Sequence, residues 1–162
     1  MSGTLIPEEG RLIMNKNLYE LQKEAKKVAG ILRVDCPEIV YDENVEHAKC
    51  TQPSDEEDFR ILINPERDFN FQVSMIIRFI RMMWAAKKFG SPTIEDACCF
   101  EVGYRVYFRK ETIQVFYSGN LRVDTFVNSY AWDLQNQVAL FGNGYEERCA
   151  WLEDARYGML DY

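Results

Sequence analysis

The sequence predicts a small α+β fold in which one long apolar helix packs on a short sheet. Residues 70–89 place apolar side chains at the three- and four-residue spacing of a helix, around most of its circumference. Residues 38–41 and 60–64 instead place Ile39 and Tyr41, and Ile61 and Ile63, at every second position, as strands do. With 162 residues, of which 47% are hydrophobic, the chain is long enough for one domain with a real core.

The N-terminal region is expected to be an arm followed by a helix. Residues 1–16 are interrupted at Pro7 and predict an arm, and residues 17–162 predict the single domain. Asn17 resembles a helix N-cap, with Glu20 three residues later as the partner of a capping box. The helix that follows carries an apolar stripe on one side and lysines on the other.

The second half of the chain predicts a hairpin and two further helices. Residues 99–117 alternate between apolar and polar side chains and predict a β-hairpin. Residues 122–140 carry the apolar stripe of a core-facing helix, and residues 145–157 predict a last helix. The outward side of the hairpin is expected to carry a basic and aromatic patch formed by Arg105, Tyr107 and Arg109.

Charge and composition exclude some classes of function. The net charge is −7, from 26 acidic and 19 basic residues, whereas a protein that binds nucleic acid through phosphates needs a surplus of Lys and Arg. The first residues have neither the basic nor the apolar region of a secretory signal, and Arg78 and Arg81 interrupt the most apolar stretch. We therefore expect a cytoplasmic protein with no membrane span and no direct contact with nucleic acid.

The five cysteines predict reduced and mostly buried thiols, because their number is odd and no export signal precedes them. An alternative is a metal site. Cys36, His47 and Cys50 have the spacing C-x10-H-x2-C, which Cys98 and Cys99 could complete. These five residues could hold a structural zinc, and His47, Cys50, Cys98 and Cys99 could alternatively form the unorthodox site of a zinc-dependent hydrolase.

The order of elements resembles the minimal zincin-like metallopeptidase domain of the ImmA/IrrE type. The strings PEIVYD at 37–42 and RILINPE at 60–66 are similar to two strands of that family, and the apolar helix at 70–89 corresponds to the helix that carries its HExxH motif. The resemblance covers about residues 17–140, with the segment 99–117 as an insertion. It implies a zincin-like fold.

The residues at the positions of the motif imply that the metal site has been lost. In HExxH, two His ligands one helical turn apart bind Zn²⁺ and the Glu acts as general base. Aligned by the distance from Asn64, the motif falls on residues 79–83, where Phe79 and Met83 replace the ligands and Ile80 replaces the base. Asp124 would stand near the third ligand. The resemblance thus implies no catalysis and no cofactor.

A chain without an assembled active site and rich in aromatic residues predicts a protein-binding module or inhibitor. Its acidic surfaces suit a basic partner such as a nucleic-acid-handling protein, as for an inhibitor encoded by a phage or mobile element. A self-associating assembly subunit is the other alternative. The candidate contact residues, besides the hairpin patch, are Asp55, Glu56, Glu57, Asp58, Trp151, Glu153 and Asp154.

Overall fold

The computed structural model describes residues 8–52 and 58–141, and within these ranges it confirms the α+β class. The described chain forms four helices and three strands. In chain order they are α1 (Glu8–Leu32), β1 (Glu38–Tyr41), β2 (Ala48–Thr51), β3 (Arg60–Ile63), α2 (Phe69–Phe89), α3 (Ile94–Tyr107) and α4 (Leu121–Phe141). No helix within the described ranges combines the length and hydropathy needed to cross a bilayer.

The three strands form one mixed sheet in the order β1-β3-β2. The central strand β3 pairs in parallel with β1, where Ile61 lies beside Ile39, and antiparallel with β2, where Ile61 lies beside Cys50. The strands β1 and β3 were predicted from their alternating pattern. The strand β2 was not, because its four residues, Ala-Lys-Cys-Thr, lie within a run rich in carboxylates and carry no strong apolar alternation.

Helix α1 begins at Glu8, so the predicted arm over residues 1–16 is wrong for its residues 8–16, and Asn17 is not an N-cap. Glu8 and Glu9 occupy the first turn. Two carboxylates there interact favourably with the exposed N–H groups of a helix N-terminus, which explains why the helix tolerates the turn-like Glu-Glu-Gly sequence.

The chain divides into two compact units, Met1–Ile80 and Arg81–Tyr162, and the division falls within α2. In the first unit, α1 packs against β1. Its apolar core comes from one face of α1, two strands and the first half of α2. The core residues are Leu21, Ala25, Val28, Ala29, Leu32, Ile39, Ile61, Ile63, Val73, Ile76, Ile77 and Ile80.

Helix α2 is less uniformly buried than the sequence predicts. Phe79 and Met83 are only half-buried, whereas Ile80 between them is fully buried. Phe79 and Met83, which stand at the ligand positions of the resembled motif, are therefore not fully interior. Arg81, one of the two arginines that interrupt the apolar stretch, is buried, with an exposure of 1%.

The predicted hairpin over residues 99–117 is also wrong, because its first half lies in α3. Thr93 caps this helix by accepting a hydrogen bond from the backbone of Asp96. Every residue of 96–107 is buried, so α3 rather than α2 is the most completely buried helix of the described chain. The alternation of charged and apolar residues misled the prediction. Glu101 and Arg105 are ion-paired four residues apart, which is a helical spacing, and α3 packs against α4.

Candidate protein-interaction surface

Residues 111–120, which we call the strap, connect α3 to α4 without joining the sheet. The sequence predicts the segment 112–117 as the return strand of a hairpin, but it pairs with none of the three described strands. Its backbone is hydrogen-bonded instead by side chains of α4. Ile113 lies opposite Gln135, Phe116 opposite Asn128 and Ser118 opposite Asp124, so the strap runs antiparallel to the helix.

Two side-chain amides of α4 hold the strap by its backbone alone. The Asn128 Oδ1 accepts from the backbone N–H of Phe116 at 2.6 Å, and its Nδ2 donates to the carbonyl of the same residue at 3.0 Å. Gln135 does the same to Ile113, at 2.7 and 2.8 Å. Ile113 and Phe116, whose backbones are held, are three residues apart in the sequence. Residues that face the same side of a strand are instead separated by an even number of positions. The strap therefore follows the helix rather than a sheet edge.

The C-terminal end of the strap is fastened by Asp124 in the first turn of α4. Its Oδ1 accepts from the backbone N–H and the hydroxyl of Ser118, at 2.8 and 2.6 Å. Gly119 then adopts a φ of 93°, which glycine tolerates without strain, and the Asn120 side chain accepts from the backbone of Arg122 and Val123 at the start of the helix. Asp124, the predicted relic of a third zinc ligand, thus anchors the strap.

The N-terminal end of the strap is fastened by an ion-pair network. Arg105 donates to Glu101 on its own helix and to Glu111 at the start of the strap, both at 2.8 Å. Arg109 donates to the other Glu111 oxygen at 3.0 Å. The predicted exposed patch is therefore wrong for Arg105 and Tyr107, which are 3% and 1% exposed, and Arg109 is half-buried.

The Glu111 network makes the stability of the protein depend on pH. Burial raises the pKa of the Glu111 carboxyl, but the hydrogen bonds from Arg105 and Arg109 outweigh it, and the pKa lies below its ordinary value of 4.5. A carboxyl whose pKa is lowered by folding stabilises the folded protein at a pH above its ordinary pKa. This stabilisation is lost as the pH falls through the lower pKa of the folded state. Wild type should lose more stability below pH 4.5 than Glu111→Gln, in urea unfolding at a series of pH values. Equal pH profiles would show that the network does not hold this carboxylate in its charged form.

The strap and α4 together expose a group of large apolar side chains, which we call the strap patch. Val115 and Tyr117 on the strap are 77% and 82% exposed, while Phe116 between them is 7% exposed and anchors the segment. On α4, Leu121 and Trp132 are 82% and 68% exposed. Trp132 lies four residues after Asn128 and three before Gln135, so it emerges beside the two amides that hold the strap.

A second constellation that the sequence analysis missed is the buried ion pair between Arg81 and Asp96. Both side chains are 1% exposed, and the guanidinium donates to both carboxylate oxygens, at 2.7 and 2.9 Å. The charged group lies 3.8 Å from the Trp84 ring centroid and 4.9 Å from that of Phe100. The available signal was an arginine, one of two inside an apolar helix, followed by an aspartate in the first turn of the next helix.

The predicted acidic and C-terminal contact residues are mostly beyond what the structure describes. Asp58 is exposed. Asp55, Glu56 and Glu57, together with Trp151, Glu153 and Asp154 and the helix predicted over 145–157, lie outside the described residues.

The candidate Cys/His metal site is not assembled by the described residues. No group of three or more His, Cys, Asp or Glu side chains among them could hold a metal ion. Cys50 shares its side of the sheet with Ile61, while the His47 ring packs edge-on against Phe71. Cys98 and Cys99 are buried in α3, and Cys36 is exposed. Burial raises the pKa of Cys36, Cys50 and Cys99, which opposes the thiolate form that binds a metal.

No family model, no curated protein and no solved structure matches this chain. The zincin-like resemblance stays a prediction.

Proposed function

We propose that this chain is a non-catalytic protein-binding module whose contact surface is the strap patch. One observation carries the proposal. Four large apolar side chains, Val115, Tyr117, Leu121 and Trp132, are each more than two-thirds exposed on a strap and helix that are joined by a ladder of side-chain hydrogen bonds.

The composition of the strap patch is that of a binding hot spot. Tyr and Trp supply large contact areas with few rotatable bonds, and both are enriched where interfaces gain most of their energy. The strap is also held in one conformation before any partner arrives, by Gln135, Asn128 and Asp124. A rigid contact segment loses less conformational entropy on binding, which favours affinity.

The charge of the chain favours a basic partner. With a net charge of −7, the protein attracts basic surfaces over a range set by the salt concentration. A nucleic-acid-handling protein is the partner class that this charge suits best, since carboxylates can occupy the positions of phosphates. An inhibitor encoded by a phage or mobile element would act in this way.

Affinity purification from the cells that encode the chain tests the proposal, with variants of matched exposure. Val115 and Leu140 are each 77% exposed, but Leu140 lies at the far end of α4 from Asn128. We expect a partner captured by wild type and by Leu140→Lys to be lost at least ten-fold with the double variant Val115→Lys/Tyr117→Lys. Equal capture by the double variant would overturn the proposal, as would the absence of any protein retained above an unrelated acidic control.

A further inference from the structure

The first half of α1 projects beyond the core of its unit. Leu21, Ala25 and Val28 are fully buried, whereas no residue of 8–20 is buried. Leu12 and Tyr19 in this half are 63% and 59% exposed. Leu12 precedes Leu21 by nine residues, which places it about 180° around the helix from the buried face. Tyr19 follows Leu12 by seven residues and therefore shares its side.

Leu12 and Tyr19 define a continuous stripe, which we call the outer stripe of α1. Lys16 lies between Leu12 and Tyr19, and Lys23 lies one helical turn after Tyr19, so both lysines share this side of the helix. The Lys23 ammonium lies 4.9 Å from the Tyr19 ring centroid and pairs with Glu20 at 3.1 Å. The alkyl stems of these lysines extend the apolar surface of the stripe. The stripe is therefore narrow, with two apolar anchors flanked by charged groups.

The charges along the outer stripe are segregated between its two ends. Glu8 and Glu9 lie at the N-terminal end, and Lys26 and Lys27 lie near the C-terminal end. Two copies of α1 can be placed antiparallel with the two-fold axis between Asn17 and Leu18. Glu8 and Glu9 of each copy then lie opposite Lys26 and Lys27 of the other copy. A parallel arrangement would place like charges together.

The same antiparallel register also matches the charges in the middle of the stripe. Lys16 of one copy falls beside Glu20 of the other, and Leu12 falls against the alkyl stem of Lys23. Because the arrangement is two-fold symmetric, each favourable pair occurs twice. The pattern is self-complementary in this one orientation.

We infer that the outer stripe of α1 is a self-association surface on which a second copy of this chain docks as an antiparallel helix. Exposed ion pairs contribute little each, and the stripe has just two large apolar anchors, Leu12 and Tyr19. The dimer should therefore be weak, dependent on protein concentration and weakened by salt. The outer stripe of α1 shares no residue with the strap patch, so either proposal can fail while the other holds.

Charge reversal tests the inference on the full chain. Sedimentation equilibrium at low salt should show a concentration-dependent dimer. Glu8→Lys/Glu9→Lys should weaken it at least ten-fold, and so should Lys26→Glu/Lys27→Glu, because each places like charges together. A mixture of these two double variants should dimerise at least as well as wild type, since all facing pairs become opposite in sign. The variant that carries all four reversals should dimerise with itself for the same reason.

Each outcome decides the question. A wild-type protein that stays monomeric at all concentrations in low salt would overturn the inference. So would a dimer that both double variants retain, or a mixture no stronger than either variant alone. Leu12→Glu should abolish the dimer, whereas Leu140→Lys, at a similarly exposed site on α4, should leave it intact. The circular dichroism spectrum of each variant should match that of wild type, because all the substituted residues are exposed.

Discussion

Replacement of Asp96 with alanine is expected to lower the free energy of unfolding by about 3–5 kcal/mol. Both side chains of the Arg81–Asp96 pair are 1% exposed, so the variant would leave a guanidinium buried without its counter-charge. The aromatic rings of Trp84 and Phe100 beside Arg81 favour the cation, but they do not replace a carboxylate that accepts two hydrogen bonds. Urea unfolding followed by Trp fluorescence measures the loss.

The matched control for Asp96→Ala is the double replacement Arg81→Met/Asp96→Leu. Buried ion pairs can often be exchanged for apolar residues of similar volume at little cost, because the desolvation of both charges is then avoided. We expect the double variant to recover most of the lost stability. The capping of α3 is unaffected in either case, since Thr93 accepts from the backbone N–H of Asp96 and not from its side chain. A loss below about 1 kcal/mol for Asp96→Ala would show that the guanidinium reaches solvent when its partner is removed.

The elements that could be predicted from the sequence are those whose periodicity reports burial on one side. Helix α2 differs from the predicted range 70–89 by one residue, helix α4 contains the predicted 122–140, and β1 matches 38–41. In these elements, the apolar residues recur at the spacing of the element, so the period of the pattern identifies the structure. The pattern failed in α3, where residues 96–107 are all buried and the charged side chains Asp96, Glu101 and Arg105 form ion pairs rather than facing water.

The candidate site was predictable only in part, because its key contacts join side chains to backbone. Asn128 and Gln135 hold the strap through the backbone of Phe116 and Ile113. In the sequence, an Asn or Gln on a helix that binds a neighbouring backbone cannot be told from one that faces water. A signal existed in the strap itself. The stretch Thr-Ile-Gln-Val-Phe-Tyr has the composition of a strand, but the residues before it form a helix, so the part of the chain that the structure describes offers it no strand partner.

Loss of the two amides should free the strap. We expect Asn128→Ala and Gln135→Ala each to lower the free energy of unfolding by about 1–3 kcal/mol, since each leaves a part-buried backbone N–H and carbonyl without their partner. The double variant should also speed amide hydrogen exchange at Ile113 and Phe116 more than elsewhere, which mass spectrometry of the exchanged peptides resolves. Asn136→Ala, at an exposed position beside Gln135, is the control and should change neither measurement.

Asn128→Asp separates the two halves of the amide contact. A carboxylate still accepts from the backbone N–H of Phe116, but it cannot donate to the carbonyl, and it places negative charge opposite that oxygen. The aspartate variant should therefore free the strap as much as alanine does. Exchange that stays slow in both variants would show that the buried ring of Phe116 and the remaining contacts of the strap, with Gln135 and Asp124, fix the segment without the Asn128 amide. If exchange accelerates and capture of the partner weakens together, the rigidity of the strap contributes to binding as well as to folding, because the partner must then order the segment itself.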